Sequence, residues 1–227
     1  MTMITGMTIP MGITTIMTTD AALTLHQLFS PAFPVGAFAY SHGLETVVQA
    51  GQVRSAAEMQ SWLEAVLRHG AGWSDAVLLA QAARGGDAEA LSELGLALSP
   101  SAERRLEAEQ QGRAFALTVS EVWGVAIPPA PYPVAVGLAV EALGLPLAEA
   151  LRLYLQAFVS NLAGAAIRLI PLGQTEGQRI VTALAPLCAS LAKQAETASL
   201  DEIGGFAPLI DIASQRHDML YSRLFRS

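Results

Sequence analysis

The chain has 227 residues, 52% of them hydrophobic and 15% charged, with a formal net charge of −7. That length holds one sizeable core, and no break in composition divides it into two. Thirteen Lys and Arg spread over the chain give no footprint for nucleic acid, and the lone Cys188 excludes a disulfide framework or a multi-cysteine metal site and fits a reducing cytoplasm.

Residues 1–20 are Thr- and Met-biased, uncharged until Asp20, and lack the basic region of a secretory signal. The first five residues look like a cloning-vector leader, and Met17 is an alternative start. The expectation is a disordered extension over 1–20 and a helical domain over 21–227. After a Leu-rich helical segment, Ser30 to Glu45 concentrates prolines, glycines and aromatics. Pro31 and Pro34 push Ser30 and Phe33 out of the α region and Gly36 permits a positive φ, so the chain bends stiffly, with Phe33, Phe38 and Tyr40 as anchors. From physics alone this reads as an interhelical crossover whose aromatics fill the core.

Ser55 and Glu58 form a capping box before a stripe of Met59, Trp62, Leu63, Val66 and Leu67. Gly70 and Gly72 interrupt this helix, and Asp75 is expected to start the next. Arg84 to Asp87 stops one helix and starts another. Ser99-Pro100 opens a helix predicted to carry Arg104, Arg105, Glu107 and Glu109 outward and Leu106, Phe115 and Leu117 toward apolar surface. Ile127 to Pro133 is a stiff linker and a candidate hinge. A helix over 134–143 and a longer one from Pro146 to about Ile170 follow. Mid-helix Gly164 costs ~1 kcal/mol against Ala unless close packing compensates, so a helix–helix contact is expected there. Thr175 to Gln178 reads as a capping box for a helix to about Ala198, and Pro208 to Leu224 as a final amphipathic helix. The chain shows no strand pattern and no bilayer-length apolar run, so the reading is an all-α, single-domain bundle of about eight to ten helices without a membrane span.

Little in the residues points to catalysis. His26, His42, His69 and His217 show no metal-ligand spacing, although His42 and Glu45 at i, i+3 are expected to share a helix face. Ser41 lies next to His42, a poor geometry for a nucleophile and its base. Gly85-Gly86 and Gly204-Gly205 lack the Lys-Ser/Thr of a phosphate loop. No catalytic, cofactor-binding or metal residue is therefore assigned. The tail alternates Arg223 and Arg226 with Leu224 and Phe225, types enriched at interface hot spots.

Three stretches carry a family resemblance. Ser30 to Glu45, S-P-A-F-P-V-G-A-F-A-Y-S-H-G-L-E, and the tail Arg216-His217 with Tyr221-Ser222-Arg223-Leu224-Phe225-Arg226-Ser227 resemble the two end signatures of the UreF family of urease accessory proteins. Arg168 to Gln174 with Gly177-Gln178 is a weaker match. Ala37 and His42 depart from the pattern, where a glycine and a glutamine are usual. The resemblance implies a non-enzymatic, homodimeric scaffold between UreD (also called UreH) and the GTPase UreG, serving apo-urease. Nickel and GTP are implied only through those partners. It assigns Phe38, Tyr40, Ser41, Gly43 and Glu45 to the GTPase face. His217, Tyr221, Ser222, Arg223, Leu224, Phe225 and Arg226 go to UreD/UreH, and Arg168 and Gln174 to a dimer or partner face. The tail is expected to be mobile alone and ordered when docked. The alternative from another class is an all-helical regulatory protein that binds a small ligand.

Overall fold

The helical spacing is realised in a computed structural model that describes residues 20–227, leaving all of the expected N-terminal extension except Asp20 outside the described residues. Among them are ten α-helices and no strand: α1 (Ala21–Leu28), α2 (Leu44–Gln49), α3 (Ala56–His69), α4 (Ala71–Ala83), α5 (Ala88–Ala97), α6 (Ala102–Trp123), α7 (Tyr132–Ala142), α8 (Leu147–Leu169), α9 (Gln174–Ala195) and α10 (Pro208–Arg216). Side chains of Asp20, Ser55, Asp87 and Ser101 accept from otherwise orphaned amides at four helix starts.

Three boundaries differ from the sequence reading. Helix α4 begins at Ala71, because Gly70 turns the chain sharply and Gly72 lets α4 lie directly on Leu67. Asp75 therefore sits in the second turn and caps nothing. Helix α9 starts at Gln174, with the Glu176 carboxylate accepting from the Gly173 amide at 3.3 Å, so its start is capped by Glu176 alone and Thr175 lies inside the first turn. Helix α10 stops at Arg216; a short 3-10 turn over 217–219 leads to Leu220 in extended conformation, so the tail is not helical.

Helices α4 and α8 form the centre, with α4 against α3, α7 and α8, α8 against α9, and α6 against α7. Leu79, Val136, Leu151 and Leu155 are wholly buried there. Glycines set the closest approaches. A side chain at Gly137 would collide with the Leu79 carbonyl, and one at Gly112 with the Ala130 carbonyl. The second contact clamps the proline-rich segment onto α6 and buries Ile127 and Ala130, so that segment is packed and not a hinge. At Gly164, by contrast, a side chain would meet nothing within 4 Å, so no contact among the described residues explains that glycine. By length and composition α8 would suffice to cross a bilayer. Its apolar stripe is instead buried on α9 and α4.

Candidate partner-binding site

The bend between α1 and α2 is built from residues that force it. Gly36 adopts φ 73°, a 3-10 turn spans Ala37–Ala39, and Tyr40 is extended. Two side chains of α8 hold this turn: Asn161 Nδ2 donates to the Ala37 carbonyl at 2.9 Å and an Arg168 guanidinium N–H to the Phe38 carbonyl at 2.8 Å. His42 and Gly43 then follow one another with φ 55° and 79°. A side chain on Gly43 would sit 2.8 Å from the Ser214 amide, so α2 lies directly on α10. The left-handed backbone at His42 takes it off the face of α2, and Glu45 does not share its surface as the i, i+3 spacing suggested.

The tail lies against this bend. Ser41 donates to the Ser227 carbonyl from its amide at 2.8 Å and its hydroxyl at 2.5 Å, while the Arg226 amide donates to the Ala39 carbonyl at 2.8 Å. Glu45 supplies the acceptors the non-helical tail needs. Its Oε1 takes the Leu224 amide at 2.8 Å and its Oε2 the Phe225 amide at 2.9 Å, with His217 Nε2 at 3.3 Å. The other ring nitrogen of His217 is 2.7 Å from Glu103, which also accepts from Arg223. The guanidinium of Arg168 lies 4.3 Å from the centre of the buried Phe225 ring, so one α8 arginine holds both the bend and the tail. The bend and the tail thus close into one clasp.

A second buried carboxylate lies under the clasp. Glu107 accepts from the Ser227 hydroxyl at 2.6 Å and from Gln111 at 2.9 Å, pairs with Arg104, and has His42 Nε2 at 2.9 Å. Burial opposes its ionisation, but Arg104 and then His42 outweigh burial and hold its pKa down to about 2. Burial, followed by Arg104, lowers the pKa of His42 against the opposing pull of Glu107. Among the described residues, His42 Nδ1 is buried without a partner.

The sequence-predicted residues divide by exposure. Tyr40, Ser41, Gly43, Glu45, His217 and Phe225 are buried; Tyr40 donates its hydroxyl to Gln110 at 2.9 Å. Phe38, Tyr221, Ser222, Arg223, Leu224 and Arg226 face outward, with Phe38 68% and Leu224 60% exposed. The tail expected to be free is packed, because Glu45 satisfies amides that would otherwise keep it in water. Arg168 belongs to the clasp, whereas Gln174 is exposed at the start of α9 and has no hydrogen bond to it. Glu103, Arg104 and Glu107 were missed as site residues, and Arg104 and Glu107 were expected to face solvent. A signal was present: stepping back by four from the core residues Val119 and Phe115 reaches Gln111, Glu107 and Glu103 on the same stripe. The same helix exposes Leu106 and Leu117, which were expected to face apolar surface.

Together these features define an all-helical protein in which an aromatic bend and a basic tail form one polar-cored surface unit. The UreF family model matches residues 53–185, which lies between the two arms of the clasp. Relatives described as urease accessory protein UreF extend the similarity to 91–93% of the chain. One from Cereibacter sphaeroides is 51% identical over 207 residues, covering 91% of this chain and 99% of the relative. One from Roseobacter denitrificans is 46% identical over 93% of this chain and 96% of its own length, and one from Rhodopseudomonas palustris 48% identical over 91% and 94%. The chain belongs to the UreF family of urease accessory proteins, whose role is in urease maturation.

Proposed function

We propose that this chain is a non-enzymatic cytoplasmic scaffold, working as a homodimer, that joins UreD/UreH to the GTPase UreG and modulates that GTPase while nickel is delivered to apo-urease. Nickel and GTP are cargo and fuel of the partners in this reading. The observation that carries it is the clasp: both family signatures form one surface unit, with buried Glu45 and Glu107 as supports and Phe38, Tyr221, Arg223, Leu224 and Arg226 presented outward. Aromatic and arginine side chains held on a rigid base are the residues that dominate binding energy at interfaces, and pre-ordering them lowers the entropy lost on docking. The two partner faces adjoin, so occupation of one alters the base of the other.

Pull-down with purified UreD/UreH and UreG tests this. Tyr221→Ala and Leu224→Ala should fold normally, weaken capture of UreD/UreH and lower urease activation in cells. Phe38→Ala should chiefly weaken UreG recruitment. Unchanged capture of both partners by all three variants defeats the assignment.

A further inference from the structure

Beneath the bend lies a cavity of about 770 Å³, walled by the 30–38 segment, α4, α6 and α8. Its size falls in the range of small-molecule sites. Asp75 of α4 borders it, and Tyr154 donates its hydroxyl to Asp75 Oδ2 at 3.0 Å. Among the described residues no other donor reaches that carboxylate, and Oδ1 is without a partner. Arg104, on the same wall, acts on the Asp75 charge but pairs with Glu107, and Arg168, which also borders the cavity, is engaged with the Phe38 carbonyl and the Phe225 ring; among the described residues no ion pair forms to Asp75. Around Asp75 the wall is aromatic. Tyr132 and Tyr154 lie with ring centres 5.7 Å apart, Phe29 meets Tyr154 edge-on at 6.2 Å, and Phe158 also borders the space.

A carboxylate inside a protein with one neutral donor and no ion-pair partner of its own is costly, and aromatic faces attract cations. We propose that this cavity binds a small organic cation bearing N–H donors, of the guanidinium or primary-ammonium class. Its head pairs with Asp75 Oδ1 and lies against the Tyr132 and Tyr154 rings. A planar guanidinium matches a carboxylate edge with two parallel hydrogen bonds and presents a flat face to a ring. A metal ion is a poorer match, because among the described residues no three His, Cys, Asp or Glu side chains are grouped to hold one. The cation is either a free molecule or the tip of a partner's Arg or Lys side chain.

Burial raises the Asp75 pKa to about 6 despite Arg104 and Tyr154, so the carboxylate is charged at pH 8 and largely neutral at pH 5. The test is calorimetric titration of the full chain with methylguanidinium and methylammonium at both pH values, together with the carbon-13 titration of the Asp75 carboxyl. Saturable binding at pH 8, weaker at pH 5, is expected, and saturation should move the Asp75 midpoint downward. Asp75→Asn, which keeps size and an acceptor for Tyr154, should weaken binding by about tenfold or more, whereas Tyr154→Phe should retain it. An acetyl-Gly-Arg-Gly-amide peptide separates the sources: displacement of methylguanidinium by the peptide points to a partner's side chain, and failure to displace it points to a free molecule. Absence of heat with an unmoved Asp75 midpoint, or equal affinity in Asp75→Asn, overturns the proposal. The carbon-13 readout uses the unaltered chain, so it stands even if the variant does not fold.

Discussion

The centre of the bundle and the clasp are both buried, yet they are held by opposite means. Around α4, α7 and α8 the contacts are chiefly apolar, the Tyr154–Asp75 hydrogen bond apart, and glycines set how near one helix comes to the next. In the clasp the tail makes no helix, so its polar groups need acceptors from outside: buried Glu45 takes the Leu224 and Phe225 amides, the Ala39 carbonyl takes the Arg226 amide, and buried Glu107 takes the Ser227 hydroxyl. A fault in the centre is a fault of volume, felt by the whole fold. A fault in the clasp leaves charges and amides unmatched and releases one segment. The two regions should therefore respond differently to substitution, to pH and to protease.

The largest effect should come from the centre. Gly112→Val or Gly137→Val has no room, because each side chain meets a carbonyl of the neighbouring segment, and a loss of roughly 3 kcal/mol or more is expected, with little helical protein recovered. Circular dichroism after expression checks this, and native-like helicity and Tm in either variant would show that the backbones can separate.

Next comes the clasp. Glu45→Ala strands the Leu224 and Phe225 amides and His217, so a loss of about 1–3 kcal/mol in clasp stability is expected, while the bundle keeps its helicity. Limited proteolysis should cut after Leu220 in this variant and not in the parent. Uncut Glu45→Ala chain would mean that Phe225 and Arg168 hold the tail unaided.

The pH dependence separates the two carboxylates on the cavity wall. Glu107 has a folded pKa near 2, below its ordinary 4.5, so its contribution is complete above about pH 4.5 and is lost as pH falls toward 2. Asp75 has the reverse sign: its folded pKa, near 6, lies above the ordinary 3.8, so its charged form weakens the fold above pH 6 and protonation relieves that as pH falls below 6. Asp75→Asn should accordingly raise stability at pH 8 by on the order of 1–3 kcal/mol and change little at pH 4. Denaturant unfolding at the two pH values reads this directly.

The smallest effect on stability belongs to the outward residues of the same clasp. Tyr221→Ala and Leu224→Ala should move unfolding by within ~0.5 kcal/mol, since both side chains are exposed. A large shift would place them in the fold and not at a partner surface.

The all-α class, the capping box of Ser55 and Glu58, and the stripe through Met59 and Leu67 were legible in the sequence because they depend on neighbours three or four residues apart. The two end motifs were legible as unusual chemistry, and they carried the family. What the sequence could not show is that these motifs meet: Ser41 and Ser227 are joined across 186 positions, and no local pattern encodes that pairing. The same holds for Glu107, which has the composition of a surface residue and the position of a core one. Arg104 is its helical neighbour three residues back, but only the packing of α6 beneath the bend gave it His42 and Ser227 as partners. Local spacing fixes which residues become helix and which side of each helix is apolar. The pairing of buried charges depends on which helices come together, and so was decided by the tertiary structure.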